Sequence, residues 1–182
     1  FDGARLAPSW MMMRNPRETW FDLTSHPGAL TLRMRPEGLG DNANPSFLAR
    51  RQQHQRATAE TTLREVPARE GDRAGLAVLQ SDDFWYAMAA VRRDGRPVIE
   101  LRRRRGAETD KAGEVIAIAP LTGEGPVRFR ITARAGAYDF AFTRGEAEWT
   151  NVLADADGAM LSTRVAGGFV GAVFGPFAQT GP

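Results

Sequence analysis

Cysteine is absent from the 182 residues, which excludes disulfides and thiolate metal sites. Histidine is scarce: only His26 and His54 occur, with no HxH or HxxxH pair, so a histidine metal centre is not expected. Lysine is scarcer still. Of the 24 basic residues only Lys111 is a lysine, and the pI of about 9.6 at a formal charge of +2 therefore reflects arginine usage, not a large basic field. No apolar run approaches the ~20 residues that cross a bilayer as a helix. No GxSxG elbow is present, so a hydrolase nucleophile of that type is not indicated. The chain opens at Phe1 without a signal-peptide pattern, so a trimmed or processed start is expected. A cytoplasmic or periplasmic home of bacterial type fits a chain without cysteine.

What is present is alternation. VRFRIT (127–132) switches between apolar and polar at every step, and YDFAFT (138–143) also alternates, the period of a half-buried strand. ALTLRM (29–34), ATAETTLREV (57–66), GLAVL (75–79), FWYAMAAV (84–91) and VIELR (98–102) are further strand candidates. Turn signals divide them, among them Pro36-Glu37-Gly38, Arg134-Ala135-Gly136 and Arg144-Gly145; Asp94-Gly95 reads as a tight hairpin turn. With no long amphipathic helix and about eleven or more short strands, the pattern predicts an all-β, two-sheet antiparallel sandwich or jelly roll. With no linker or internal repeat, residues 1–182 read as a single domain.

Several segments carry candidate chemistry. SFLARRQQHQ (46–55) has no acidic residue. Read as one long strand, it sends Arg50 and His54 to one face and Arg51 and Gln53 to the other. Such a polar strand suits sugar hydroxyls, the backbone of another domain, or plain solvent. The run Arg102–Arg105 suggests phosphate contact, but a strand splits it between two faces, and nucleic acid is not expected as a partner. The acids Asp139, Glu146, Glu148, Asp155 and Asp157 show no pairing that marks a glycosidase. Trp85 and Tyr86 are adjacent, hence on opposite faces: one is expected in the core, the other free to stack on a sugar ring. VAGGFVGAVFGPFA (165–178) places Phe169 directly after Gly167 and Gly168, as a buried anchor or a group offered to a partner.

The order of these pieces carries a resemblance. Phe1-Asp2-Gly3, Trp10, Arg14-Asn15-Pro16, Pro27–Leu32, Ser46–His54, Ala74–Val78, Leu161-Ser162-Thr163 and Gly167–Ala172 together are similar to the C-terminal, concanavalin A-like (lectin-like) β-sandwich of glycoside hydrolase family 43 β-xylosidases and α-L-arabinofuranosidases. The likeness runs over nearly the whole chain, and ARRQQH combined with GGFxGA is its specific part.

The resemblance implies an accessory domain. A catalytic propeller holding the hydrolytic carboxylates precedes it in such enzymes, so this chain by itself is not expected to hydrolyse anything. The parent enzyme would remove terminal sugars from xylo-oligosaccharides or arabinose side chains of xylan, inverting the anomeric centre. The loop of Gly167, Gly168 and Phe169 would reach the mouth of the pocket, with the ring excluding water. Arg50, Arg51, Gln53 and His54 would face the catalytic domain or its cleft. The family pattern continues with a final strand beyond Pro182, whose lack would leave a sheet edge able to associate. No cofactor is required, although calcium on backbone oxygens and Asp2 is compatible with such a sandwich. A free-standing carbohydrate-binding module and a structural or homo-oligomerising domain are the alternatives; no membrane partner is expected.

Overall fold

A computed structural model describes residues 1, 3, 5–168 and 170–181. Among them are thirteen strands, one 3-10 turn and one helical turn. The strands are Met11–Met12 (β1), Phe21–Asp22 (β2), Thr31–Leu32 (β3), Ser46–Arg51 (β4), Arg56–Leu63 (β5), Arg73–Ser81 (β6) and Phe84–Arg93 (β7). Arg96–Arg105 (β8), Glu114–Pro120 (β9), Val127–Arg134 (β10), Ala137–Arg144 (β11), Thr150–Asp157 (β12) and Val173–Gln179 (β13) complete them, with the helical turn Thr163–Ala166 (α1) before β13.

Two antiparallel sheets face each other. One has seven strands in the order β1-β4-β13-β6-β7-β8-β9; the other has four, β12-β11-β10-β5. The inner faces supply alternate residues to one core. Leu76, Tyr86, Met88 and Leu101 from the large sheet meet Phe129, Ile131 and Phe140 from the small one, all of them buried. Truncating Phe129 or Phe140 to alanine would cost about 3–5 kcal/mol by emptying this layer.

The large sheet is also apolar on its outer face. Phe47, Ala49, Ala77, Leu79, Trp85, Ala87, Ala89 and Phe177 form a second buried cluster there, roofed by Leu39 and Met13. Residues 13–45 thus act as a cover. Within the cover Trp20 Nε1 donates to Asn44 Oδ1 at 2.7 Å and Asn44 Nδ2 to the Met13 carbonyl at 2.6 Å, and the Arg14–Asp82 ion pair at 2.6 Å ties it to the β6–β7 turn.

The sandwich expected from the alternation is present, and β10, β11 and the Asp94-Gly95 turn fall where the pattern put them. In that turn both residues have positive φ, 51° and 73°, which matches the twist of β7 and β8. Two expectations are corrected. SFLARRQQHQ is not one long strand: β4 stops at Arg51, the Gln52 amide adds one last bond in register to the Ala172 carbonyl at 3.0 Å, and the Gln52 side-chain Nε2 then turns back to the His54 carbonyl at 2.9 Å. Trp85 and Tyr86 do point to opposite faces, but both faces are covered. Tyr86 is 1% exposed in the inter-sheet core and Trp85 is 3% exposed in the outer cluster, so neither ring has a free face for stacking.

Candidate functional site

The glycine-rich segment and the polar end of β4 meet at one end of the large sheet. β13 pairs with β4 through Val173↔Arg51 and Phe174↔Arg50, which places the loop that enters β13 beside the two arginines. α1 closes when the Gly167 amide donates to the Thr163 carbonyl at 2.9 Å. Gly167 then adopts φ 73°, ψ −170°, a conformation essentially confined to glycine. Gly168 and Gly171 follow at φ 65° and 59°. A Cβ at Gly167 would touch nothing within 4 Å, so backbone conformation, not space, demands glycine there.

Side chains from the sheet pin this loop. Gln80 Nε2 donates to the Gly167 carbonyl at 2.8 Å, and Arg51 Nη1 donates to the Val170 carbonyl. Gln80 is 6% exposed, and its Oε1 has no hydrogen-bond partner among the described residues. Between loop and sheet lies a cleft of about 140 Å³, lined by Met11, Met13, Arg51, Gln80 and Val170 among others. Met11 and Val170 of this lining are exposed, an apolar rim beside Arg51.

The other polar residues of the segment divide between roles. The Arg50 guanidinium lies 5.5 Å from the centroid of the Trp10 ring, which in turn stacks on Phe1 at 5.0 Å. Gln52 accepts the Tyr138 hydroxyl at 2.7 Å, and burial pushes the pKa of that phenol up to about 12. Gln53 and His54 are exposed. Trp85 and Tyr86 lie in the core, away from the loop's surface. Phe169 and Asp2 lie outside the described residues. Gln80 was not legible as a site residue; a lone amide closing the apolar run GLAVLQ was the one available signal.

The arginine run is absorbed into the fold. Glu100 holds Arg102 at 3.0 Å, Glu114 holds Arg103 at 2.5 Å, Asp83 holds Arg104 at 2.9 Å and Asp157 holds Arg105 at 3.2 Å. The acids on the small sheet are similarly occupied. Arg134 pairs with Asp139 and Asp155, and its hydrogen bond holds the Asp139 carboxyl below the usual carboxylate range. Among the described residues no group of three or more His, Asp or Glu is placed to hold a metal ion. No helix among them is long and apolar enough to cross a membrane.

A family model described as the β-xylosidase C-terminal concanavalin A-like domain matches residues 1–181. The chain belongs to this family. The two-sheet sandwich is its concanavalin A-like fold. Curated relatives include the non-reducing end α-L-arabinofuranosidase BoGH43B of Bacteroides ovatus, 32% identical over 98% of this chain and 33% of its own length. A xylosidase/arabinosidase of Butyrivibrio fibrisolvens is 26% identical over 90% of this chain and 30% of its own. Among solved structures, a GH43_12 protein retrieved from a capybara gut metagenome superposes with a TM-score of 0.89 at 27% identity, covering 99% of this chain and 34% of that one. The chain thus spans about a third of the length of the curated relatives it matches. The family is that of an accessory module carried by glycosidases, not of their hydrolytic domain.

Proposed function

We propose that this domain is the C-terminal partner, in one polypeptide, of a family 43 exo-glycosidase that releases terminal xylose or arabinose from xylo-oligosaccharides or arabinose side chains. Its surface around the glycine loop packs against the catalytic domain, and the loop lends Phe169 to the rim of the sugar pocket. Arg50, Arg51, Gln53 and His54 line the same interface.

The observation that carries this reading is the character of the cleft. A fold that satisfies most of its polar groups leaves the Gln80 Oε1 buried and unpartnered beside an exposed apolar rim of Met11 and Val170. Exposed apolar side chains beside the Arg51 end of β4 are what a second surface would cover, so this end of the sandwich suits an interface. The similarity to relatives about three times as long supports the presence of such a surface. A loop shaped by three left-handed glycines and anchored from the sheet is also preorganised, as a pocket rim requires.

The test is Phe169→Ala in the full-length protein, assayed on aryl β-xyloside and aryl α-arabinofuranoside. The expected result is a fall in kcat/KM of at least about tenfold with an unchanged melting temperature, the scale of a lost water-excluding contact. Unaltered kinetics on both substrates would remove the loop from the pocket.

A further inference from the structure

The outer face of the large sheet carries a second cavity, at the opposite end of β13 from the glycine loop. Val173 borders the cleft, Phe177 and Gln179 border this cavity, and the two have no lining residue in common. The volume is about 240 Å³. That is below the roughly 300–1,000 Å³ of sites for drug-sized molecules and suits a single sugar ring. Its floor is sunk because Ala87 and Ala89 of β7 stand where larger side chains would fill the face. Trp85 and Phe177 flank them, and segments 38–41 and 110–112 form the walls.

The charged lining divides into groups already committed and groups left over. Both oxygens of Glu100 are taken, by Arg93 and Arg102 at 3.0 Å each. Arg102 spends Nη1 on the carbonyls of Ala112 and Gly113 at 3.2 Å. Asp41 caps the Gly38 amide at 2.8 Å, and Asp110 caps the Ala112 amide at 2.7 Å. Arg73 is different. It is half-buried, its Nε reaches only the Gly71 carbonyl at 3.3 Å, and its two terminal nitrogens have no acceptor among the described residues. Burial and the neighbouring Arg102 lower its pKa, against the opposing pull of the Glu100 carboxylate. Lys111, the one lysine of the chain, stands exposed at the same cavity.

We infer that this cavity is a binding site for a single sugar ring bearing a carboxylate, a hexuronate, with Arg73 gripping the carboxylate and Lys111 attending it. A guanidinium with two free terminal N–H groups matches two carboxylate oxygens in a fork. The ring hydroxyls meet the polar walls, and the C–H face lies on the alanine floor. A neutral pentose fits the volume but leaves both cations without an acceptor.

The experiment is calorimetric titration of the full-length protein with glucuronic acid, its methyl ester, xylose and arabinose. Glucuronate is expected to bind, and the ester and the neutral sugars at least about tenfold more weakly, as loss of a charge-assisted contact implies. Arg73→Gln, which keeps the length and removes the charge, is expected to abolish the glucuronate heat. Ala89→Leu is expected to abolish it by filling the floor. Melting temperatures near that of the parent show that both variants fold, and Arg73→Gln alone suffices if Ala89→Leu does not. Equal binding of neutral sugars, unchanged binding by Arg73→Gln, or no heat with glucuronate up to about 10 mM would each overturn the assignment. None of these outcomes depends on Phe169 or on hydrolysis, so this site and the proposed function fail separately.

Discussion

Gln80 and Gly167 stand 87 residues apart in the chain, and the Gln80 amide donates to the Gly167 carbonyl at 2.8 Å. That one bond ties the glycine loop to β6, a strand buried along nearly its whole length. The loop therefore borrows its order from the core.

Gln80→Leu is accordingly expected to loosen the loop without unfolding the sandwich. It strands the Gly167 carbonyl but also removes the unpartnered Oε1, so the net loss should be about 1 kcal/mol. For a domain of this size that is a fall of roughly 2–4 °C in melting temperature. Amide hydrogen exchange in residues 167–172 should accelerate more than in β6 or β7. Unchanged protection of the loop would show that Arg51 and the β13 ladder hold it unaided.

Arg104 makes a stronger case, because it is a cation inside the fold. Its side chain is 5% exposed, yet it donates to the carbonyls of Gly40 at 2.7 Å, Asp82 at 2.8 Å and Thr109 at 3.2 Å, and pairs with Asp83 at 2.9 Å. It thereby rivets the N-terminal cover and the 106–113 loop to β8. Arg104→Met keeps the apolar stem and abandons three carbonyls, and is expected to cost about 2–4 kcal/mol. Thermal or urea unfolding measures this directly. A loss below about 0.5 kcal/mol would mean that water replaces the guanidinium freely and the cover is held by the Arg14–Asp82 pair and its apolar contacts.

The sequence announces the strands that have one wet face. β10 alternates cleanly because its outer side meets solvent, whereas β11 is buried on both sides from Phe140 to Thr143; the Asp94-Gly95 turn is legible because its two positive φ values call for those residue types. β13 was hidden. It lies between β4 and β6, yet holds Gly175 and Pro176, residues that argue against a central strand. The structure resolves the conflict: β13 pairs with β4 at Val173, Phe174, Phe177 and Ala178, and the ladder skips Gly175 and Pro176, where proline has no N–H to donate. β12 was hidden for another reason, since Asp155 takes φ 55° in an irregular stretch that breaks the two-residue period. The outer cluster could not be foreseen at all. It depends on segments with little regular structure, Leu39 and Met13 among them, folding across the sheet. The same limit applied to the candidate site: the glycine pattern marked Gly167 and Gly168, but only tertiary contact discloses Gln80.

The two tyrosines supply an internal gauge of stability at high pH. Tyr86 and Tyr138 are the only two in the chain, and both are buried in the inter-sheet core. Burial raises both phenols above the ordinary value of 10.0, Tyr138 to about 12. A raised folded-state pKa means that the unfolded chain loses its proton first. The stabilisation is therefore complete below pH 10 and is withdrawn as pH climbs through about 12. For Tyr138 alone that is on the order of 2–3 kcal/mol, from two units at 1.36 kcal/mol each. Tyrosinate absorbance at 295 nm and far-ultraviolet circular dichroism, followed together, are expected to change in one step between those limits. Tyr138→Phe should move the transition to higher pH while lowering stability at neutral pH, because Gln52 loses the donor that meets it at 2.7 Å. Ionisation of both phenols near pH 10 with the dichroism intact would show that the core admits solvent and that burial does not control these groups.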